Sequence, residues 1–205
     1  MEYHVDARKV MRANALSVVG YHGGDPVTHD AFQRLLGPPY SWPLRKAYGR
    51  GGISTCAMVA LGLMRRAGVD HADIQDGYAD DIGSGLNVAK FWAQRITPNP
   101  AWKTPSRGRV PRIGDVIQVL GPMHVATVIG WETSHGGARL CVTVDGGQCH
   151  PRDGLQCIAV VRRPWVETPR SVRLGARIVD GWIDVAMLPY GDTATVPIGW
   201  EEEDT

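Results

Sequence analysis

Between residues 115 and 163 four β-branched runs follow one another: DVIQVL (115–120), HVATVIGW (124–131), RLCVTVD (139–145) and LQCIAVVRR (155–163). Gly-Pro, Gly-Gly and Asp-Gly steps separate them, which constrains this half of the chain to antiparallel β structure. A four-stranded meander fits the spacing. The first half reads differently. Residues 6–19 have the apolar spacing of a short amphipathic helix, Thr28 or Asp30 can cap a second through AFQRLL, and SGLNVAKFWAQR (84–95) suits a third. Between them, GPPYSWPLRKAYGRGG (37–52) is turn-rich, aromatic and basic, the composition of a surface loop bordering a site.

The stretch STCAMVALGLMRRAGV (54–69) opens with Ser54 or Thr55 as a cap, closes with Arg65, Arg66 and Gly68, and is apolar on almost every face from Ala57 to Met64. It predicts a helix buried on most sides, at the centre of an α+β fold. The apolar run is far shorter than the roughly 20 residues of a membrane span. The N-terminus lacks a charged start followed by an apolar signal core, so a soluble chain without a Sec-type leader is expected.

The 205 residues, 43% of them hydrophobic, suffice for one substantial core without disulfide or metal support. Twenty-two basic against 21 acidic side chains leave a net charge of +1, no electrostatic footprint for a nucleic-acid backbone. The expected organisation is a domain over 1–164, with helices within 6–36 and a core over 40–163. A C-terminal extension over 165–205 would carry a hairpin turning at Asp180-Gly181 and a solvated EEEDT tail.

Cys56 stands where the helix begins. Unpaired N–H groups and the positive end of the dipole there favour a thiolate, although free cysteine is also among the most buried residue types. A nucleophilic cysteine needs a base and a group to orient it. Of seven histidines, only His124 opens a buried-looking strand. If HVATVIGW and RLCVTVD close around ETSHGG with Trp131 opposite Ala138, His124 falls opposite Asp145, which could then orient the ring. Cys141, Cys149, His150 and Cys157 offer a metal-binding alternative, but their spacings of eight, one and seven residues match no zinc pattern.

The order of these parts resembles the papain-like bacterial amidohydrolases, specifically the CHAP and NlpC-type cell-wall hydrolases. The resemblance covers residues 40–163 and is most specific in RIGDVIQVLGPMHVATVIGWE; Thr55 and Ala57-Met58 around Cys56 are closer to the CHAP type. It implies a papain-like α+β fold, with the central helix packed on a four- to six-stranded antiparallel sheet. Cys56 would be the nucleophile, His124 the general base and acid, and Asp145 the orienting residue, with Gln148 the nearby substitute. By their position in the loop before the helix, Tyr40, Ser41 and Trp42, together with Gln148, would line the substrate cleft, and neither metal nor cofactor would be required.

The implied partners are a peptidoglycan fragment or peptide, and an immunity protein or secretion carrier. The implied setting is bacterial or phage, with delivery to a target periplasm by a dedicated secretion system. The alternatives are a papain-like protease acting on protein or isopeptide bonds, and a noncatalytic papain-like binding module in which Cys56 is core.

Overall fold

A computed structural model describes residues 6–37, 44, 55–69, 90, 93–96, 99–121 and 123–190. Among the described residues, three short helices with defined bounds precede the strands, α1 (Ala7–Ser17), α2 (His29–Leu36) and α3 (Cys56–Arg66), and residues 90 and 93–95 are helical as well. The strands are β1 (Trp102–Lys103), β2 (Val116–Leu120), β3 (His124–Thr133), β4 (Arg139–Cys149), β5 (Gln156–Glu167), β6 (Val172–Leu174) and β7 (Arg177–Ile183), followed by a 3-10 turn over Val185–Met187. The order β7-β2-β3-β4-β5-β6 closes on itself because β6 also pairs with β7, leaving β1 as an attachment on β7.

The architecture is therefore a closed six-stranded antiparallel barrel with a few short helices outside it, mostly sheet. This corrects the expected papain-like α+β arrangement of a central helix packed on a four- to six-stranded antiparallel sheet. The physical reason lies in residues set aside as an extension: β6 and β7 join the last strand of the meander back to the first, so neither edge stays open. The division expected at 164/165 falls inside β5, which runs unbroken from Gln156 to Glu167. The expected hairpin turn is also displaced. β6 and β7 pair Leu174 with Arg177, so the chain turns at Gly175-Ala176, while Asp180-Gly181 lies within β7. A glycine is needed there because β1 crosses it: a Cβ on Gly181 would stand 2.4 Å from Trp102 Cζ2 and 2.6 Å from the Lys103 carbonyl.

Alternation along the strands divides the apolar side chains between two cores. Ile117, Val119, Ala126, Val128, Trp165, Val179 and Trp182 form one cluster, the barrel filling. Their neighbours Val116, Val125, Val142, Val144 and Ile183 face the other way and cluster with the helices. In α3 every residue from Cys56 to Met64 is buried, as its all-round apolarity predicts. The helix lies against β3 and β4, with α2 and α1 beside it. Gly62 permits the α2 contact, since a Cβ there would meet the Leu35 carbonyl at 2.1 Å.

The "GD" of RIGDVI is a structural joint. Gly114, at φ +97, lies under α1, where a Cβ would come within 2.6 Å of the Arg8 carbonyl. Buried Asp115 accepts hydrogen bonds from Arg8 and from the backbone N–H groups of Arg112 and Val185. Burial pushes its pKa up to about 6 against those partners. Tyr40, Ser41, Trp42, Ser54, the acidic tail and most of 84–95 lie outside the described residues.

Candidate active site

Cys56 is the first residue of α3 and is buried at its start. Thr55, the preceding cap residue, does not fold its hydroxyl back onto the helix. Both its N–H and its Oγ1 instead reach Gln156 Oε1 on β5, each at 2.9 Å, with both residues fully buried. These two donated bonds turn Thr55 toward β5 and fix the helix start to the barrel. Gly146 completes the fit: a Cβ there would stand 2.5 Å from Val59 Cγ2, so only glycine lets α3 pack this closely over β4.

His124 opens β3 and pairs with Val119 of β2. Its ring Nε2 lies 2.5 Å from Asp145 Oδ2, and the Cys56 thiol hydrogen-bonds the same imidazole. The three residues singled out in the sequence thus converge, though not through the expected register. Trp131 pairs with Cys141 rather than Ala138, and an irregularity between Val128 and Gly130 shifts the ladder by one. Continuing the Thr127–Val144 pairing sets Asp145 beside Ala126, one diagonal step from His124 and on the same face. The net displacement is two residues, so parity survives and the contact survives with it.

Asp145 is completely buried and has more partners than the sequence suggested. Arg163 Nη2 donates to the same Oδ2 at 2.6 Å, Thr143 Oγ1 donates to Oδ1, and Arg163 Nη1 donates to Thr143 at 3.1 Å. Burial by itself would raise the Asp145 pKa, but the hydrogen bonds and charges of His124 and Arg163 hold it below the usual carboxylate range. Burial would likewise lower the His124 pKa. The hydrogen bonds and charges of Asp145 and Cys56 outweigh it and raise the value to about 9. The imidazole is thus built to carry a proton beside a cysteine at a helix N-terminus, an arrangement competent for thiolate–imidazolium chemistry.

Sequence reasoning missed Arg163, Thr143 and Gln156. The second arginine of LQCIAVVRR was a signal, because it shares strand parity with the barrel-facing positions and pairs with Cys141. Gln148, offered as a substitute for Asp145, lies past an irregularity in β4 and pairs with Cys157; the carboxylate on His124 is that of Asp145. Cys141 belongs to the barrel filling, where burial first, and then the Asp145 charge, push its thiol up to about 12. Among the described residues one group has metal-ligating geometry, His22, His150 and Asp153, none of which touches the Cys56 site through a described hydrogen bond. No described helix is long and apolar enough to cross a membrane.

No protein-family model matches this chain, and no curated protein or solved structure matches it either.

Proposed function

We propose that the protein is a cysteine-dependent amidohydrolase that cleaves amide or peptide bonds of peptidoglycan. The observation that carries this reading is His124, held between the Cys56 thiol and a fully buried Asp145. The Cys56 thiolate attacks the carbonyl carbon while the N–H groups of the α3 start face the developing oxyanion. The His124 imidazolium gives its proton to the leaving amine, then takes one from the water that hydrolyses the thioester. Asp145 keeps Nε2 as the protonated, bonded nitrogen through both steps, so that Nδ1 is the atom that exchanges its proton.

The cell-wall substrate rests on the resemblance of the GDV…HV…VIG segment to CHAP and NlpC-type hydrolases, a likeness of sequence pattern rather than of the barrel. A wall substrate requires that the chain reach a periplasm or cell surface. Delivery by a dedicated secretion system or a phage lysis programme, with an inhibitor protein protecting the producer, belongs to the same proposal.

The test is to incubate muropeptides, and separately a denatured protein, with the wild-type chain and with Cys56→Ala, and to weigh the products by mass spectrometry. Muropeptide cleavage by the wild type alone is the expected result. Cleavage of the protein alone would keep the cysteine chemistry and remove the wall assignment. Equal cleavage by both chains would remove the nucleophile.

A further inference from the structure

Residues 20–23 run back along β5. Gly20 N–H donates to the Ile158 carbonyl at 2.9 Å, Ile158 N–H to Tyr21 at 2.9 Å, and Gly23 N–H to Gln156 at 2.9 Å. This pairing fixes His22 opposite Cys157 at the start of β5. There it meets the turn joining β4 to β5, which brings His150 and Asp153 alongside. The turn is itself set by the His150 N–H on the Leu155 carbonyl at 2.8 Å and the Gly154 N–H on the His150 carbonyl at 2.9 Å.

His22 Nε2 lies 3.1 Å from Asp153 Oδ1, His150 Nδ1 lies 3.7 Å from the same oxygen, and the three ligand atoms are all within 4.8 Å of one another. Tetrahedral zinc with bonds of ~2.0–2.1 Å holds neighbouring ligand atoms about 3.3 Å apart, a value between the two histidine–Asp153 distances and inside the 4.8 Å that bounds all three pairs.

Two further observations point to a ligand. His150 Nδ1 is buried with no hydrogen-bond partner, an orphan that a metal bond would satisfy. Gly24 closes over the cluster so tightly that a Cβ would meet both His22 Cε1 and Asp153 Oδ2 at 3.1 Å. The carboxylate also has the supporting bond expected of a metal ligand, since Leu155 N–H donates to Asp153 Oδ1 at 3.0 Å.

We propose that His22, His150 and Asp153 form a site for a zinc-class divalent cation, which clasps the segment after α1 to the β4–β5 turn and leaves a fourth position for water. Two imidazoles and one carboxylate suit zinc in both charge and softness, and all three ligands stand on backbone fixed by hydrogen bonds. The site is independent of the proposed hydrolase chemistry, and the sequence spacing could not reveal it because His22 comes from the far end of the chain.

The experiment is calorimetric titration of Zn2+ into the full-length chain carrying Cys56→Ser, which removes the active-site thiol as a competing ligand. One ion per chain is expected, with a higher melting temperature. Asp153→Asn and His150→Ala should each weaken binding by more than about 100-fold, since loss of a direct ligand exceeds the loss of a supporting one. Asp153→Asn is nearly isosteric, and its melting in metal-free buffer confirms that it is folded. Cobalt in place of zinc should show d–d bands without the charge-transfer band of a thiolate ligand. No binding at micromolar metal by the folded chain, undiminished affinity in both variants, or a thiolate band from Cys149 or Cys157 would each overturn the proposal.

Discussion

The molecule holds two histidine–aspartate pairs, and they are built for different ends. In one, His124 and Asp145 have side chains 9% and 0% exposed and lie 2.5 Å apart. In the other, His22 and Asp153 are 15% and 39% exposed and 3.1 Å apart. The buried carboxylate cannot be solvated, so it draws on His124, Arg163 and Thr143, and its charge in turn fixes the proton on the imidazole. The exposed carboxylate is held below the usual range first by the Leu155 N–H, and water screens its pull on the neighbouring rings. Identical side-chain chemistry gives a proton-holding device in one place and a ligand cluster in the other. Burial makes the difference.

The largest separation between the pairs should appear in activity. Asp145→Asn removes the charge that sustains the imidazolium, and kcat/KM on the muropeptide proposed as substrate should fall ~10²–10⁴-fold. The alkaline limb of the pH–rate profile, expected near pH 9 in the wild type, should also move to lower pH. If Asp153→Asn has the same effect, the distinction between the pairs fails.

The next effect is on stability. His124 has a pKa raised from 6.5 to about 9, so its contribution is fully present below about 6.5 and is lost as pH rises through about 9. The loss should be about 3 kcal/mol across that interval, measured by urea unfolding at a series of pH values, and should be absent from His124→Gln.

Closer to the frame, Gly146→Ala should destabilise the protein by about 1–3 kcal/mol through overpacking against Val59. It should also slow alkylation of Cys56, and Val59→Ala in the same chain should recover part of the rate. Arg163→Gln should cost about 1–3 kcal/mol by leaving Asp145 short of a charged donor, with a smaller loss of kcat than Asp145→Asn and an unchanged KM. The smallest effect is expected from Asp153→Asn in metal-free buffer, where melting and hydrolysis should both match the wild type.

Much of the site was legible because strand parity is robust. His124 and Asp145 could be placed on one face from the two runs alone. The irregularity near Ile129 moved the ladder without changing which side each residue faces. Cys56 was legible from the helix signals around it. Gln156 was not, because it acts on Thr55, which is 101 residues away in the chain, and Arg163 shared the right strand parity but reaches Asp145 only in the β4–β5 register that the fold sets. Asp180-Gly181 misled for a related reason: the dipeptide is a strong turn signal in isolation, and here Trp102 crossing Gly181 and the bonds of Lys90 and Gln118 to Asp180 hold it in a strand.

By itself the sequence determined the local elements: four long strands from β-branched alternation, α3 from its apolar run and basic end, and a cysteine at that helix start. These depend on neighbours a few residues apart, whose preferences act before any tertiary contact forms. Tertiary structure alone decided that the sheet closes into a barrel through β6 and β7, that Thr55 binds Gln156 instead of capping its own helix, and that His22 meets His150 and Asp153. Each of those outcomes depends on burial and on partners distant in sequence, and the energy of a polar group is set by what surrounds it once water is excluded.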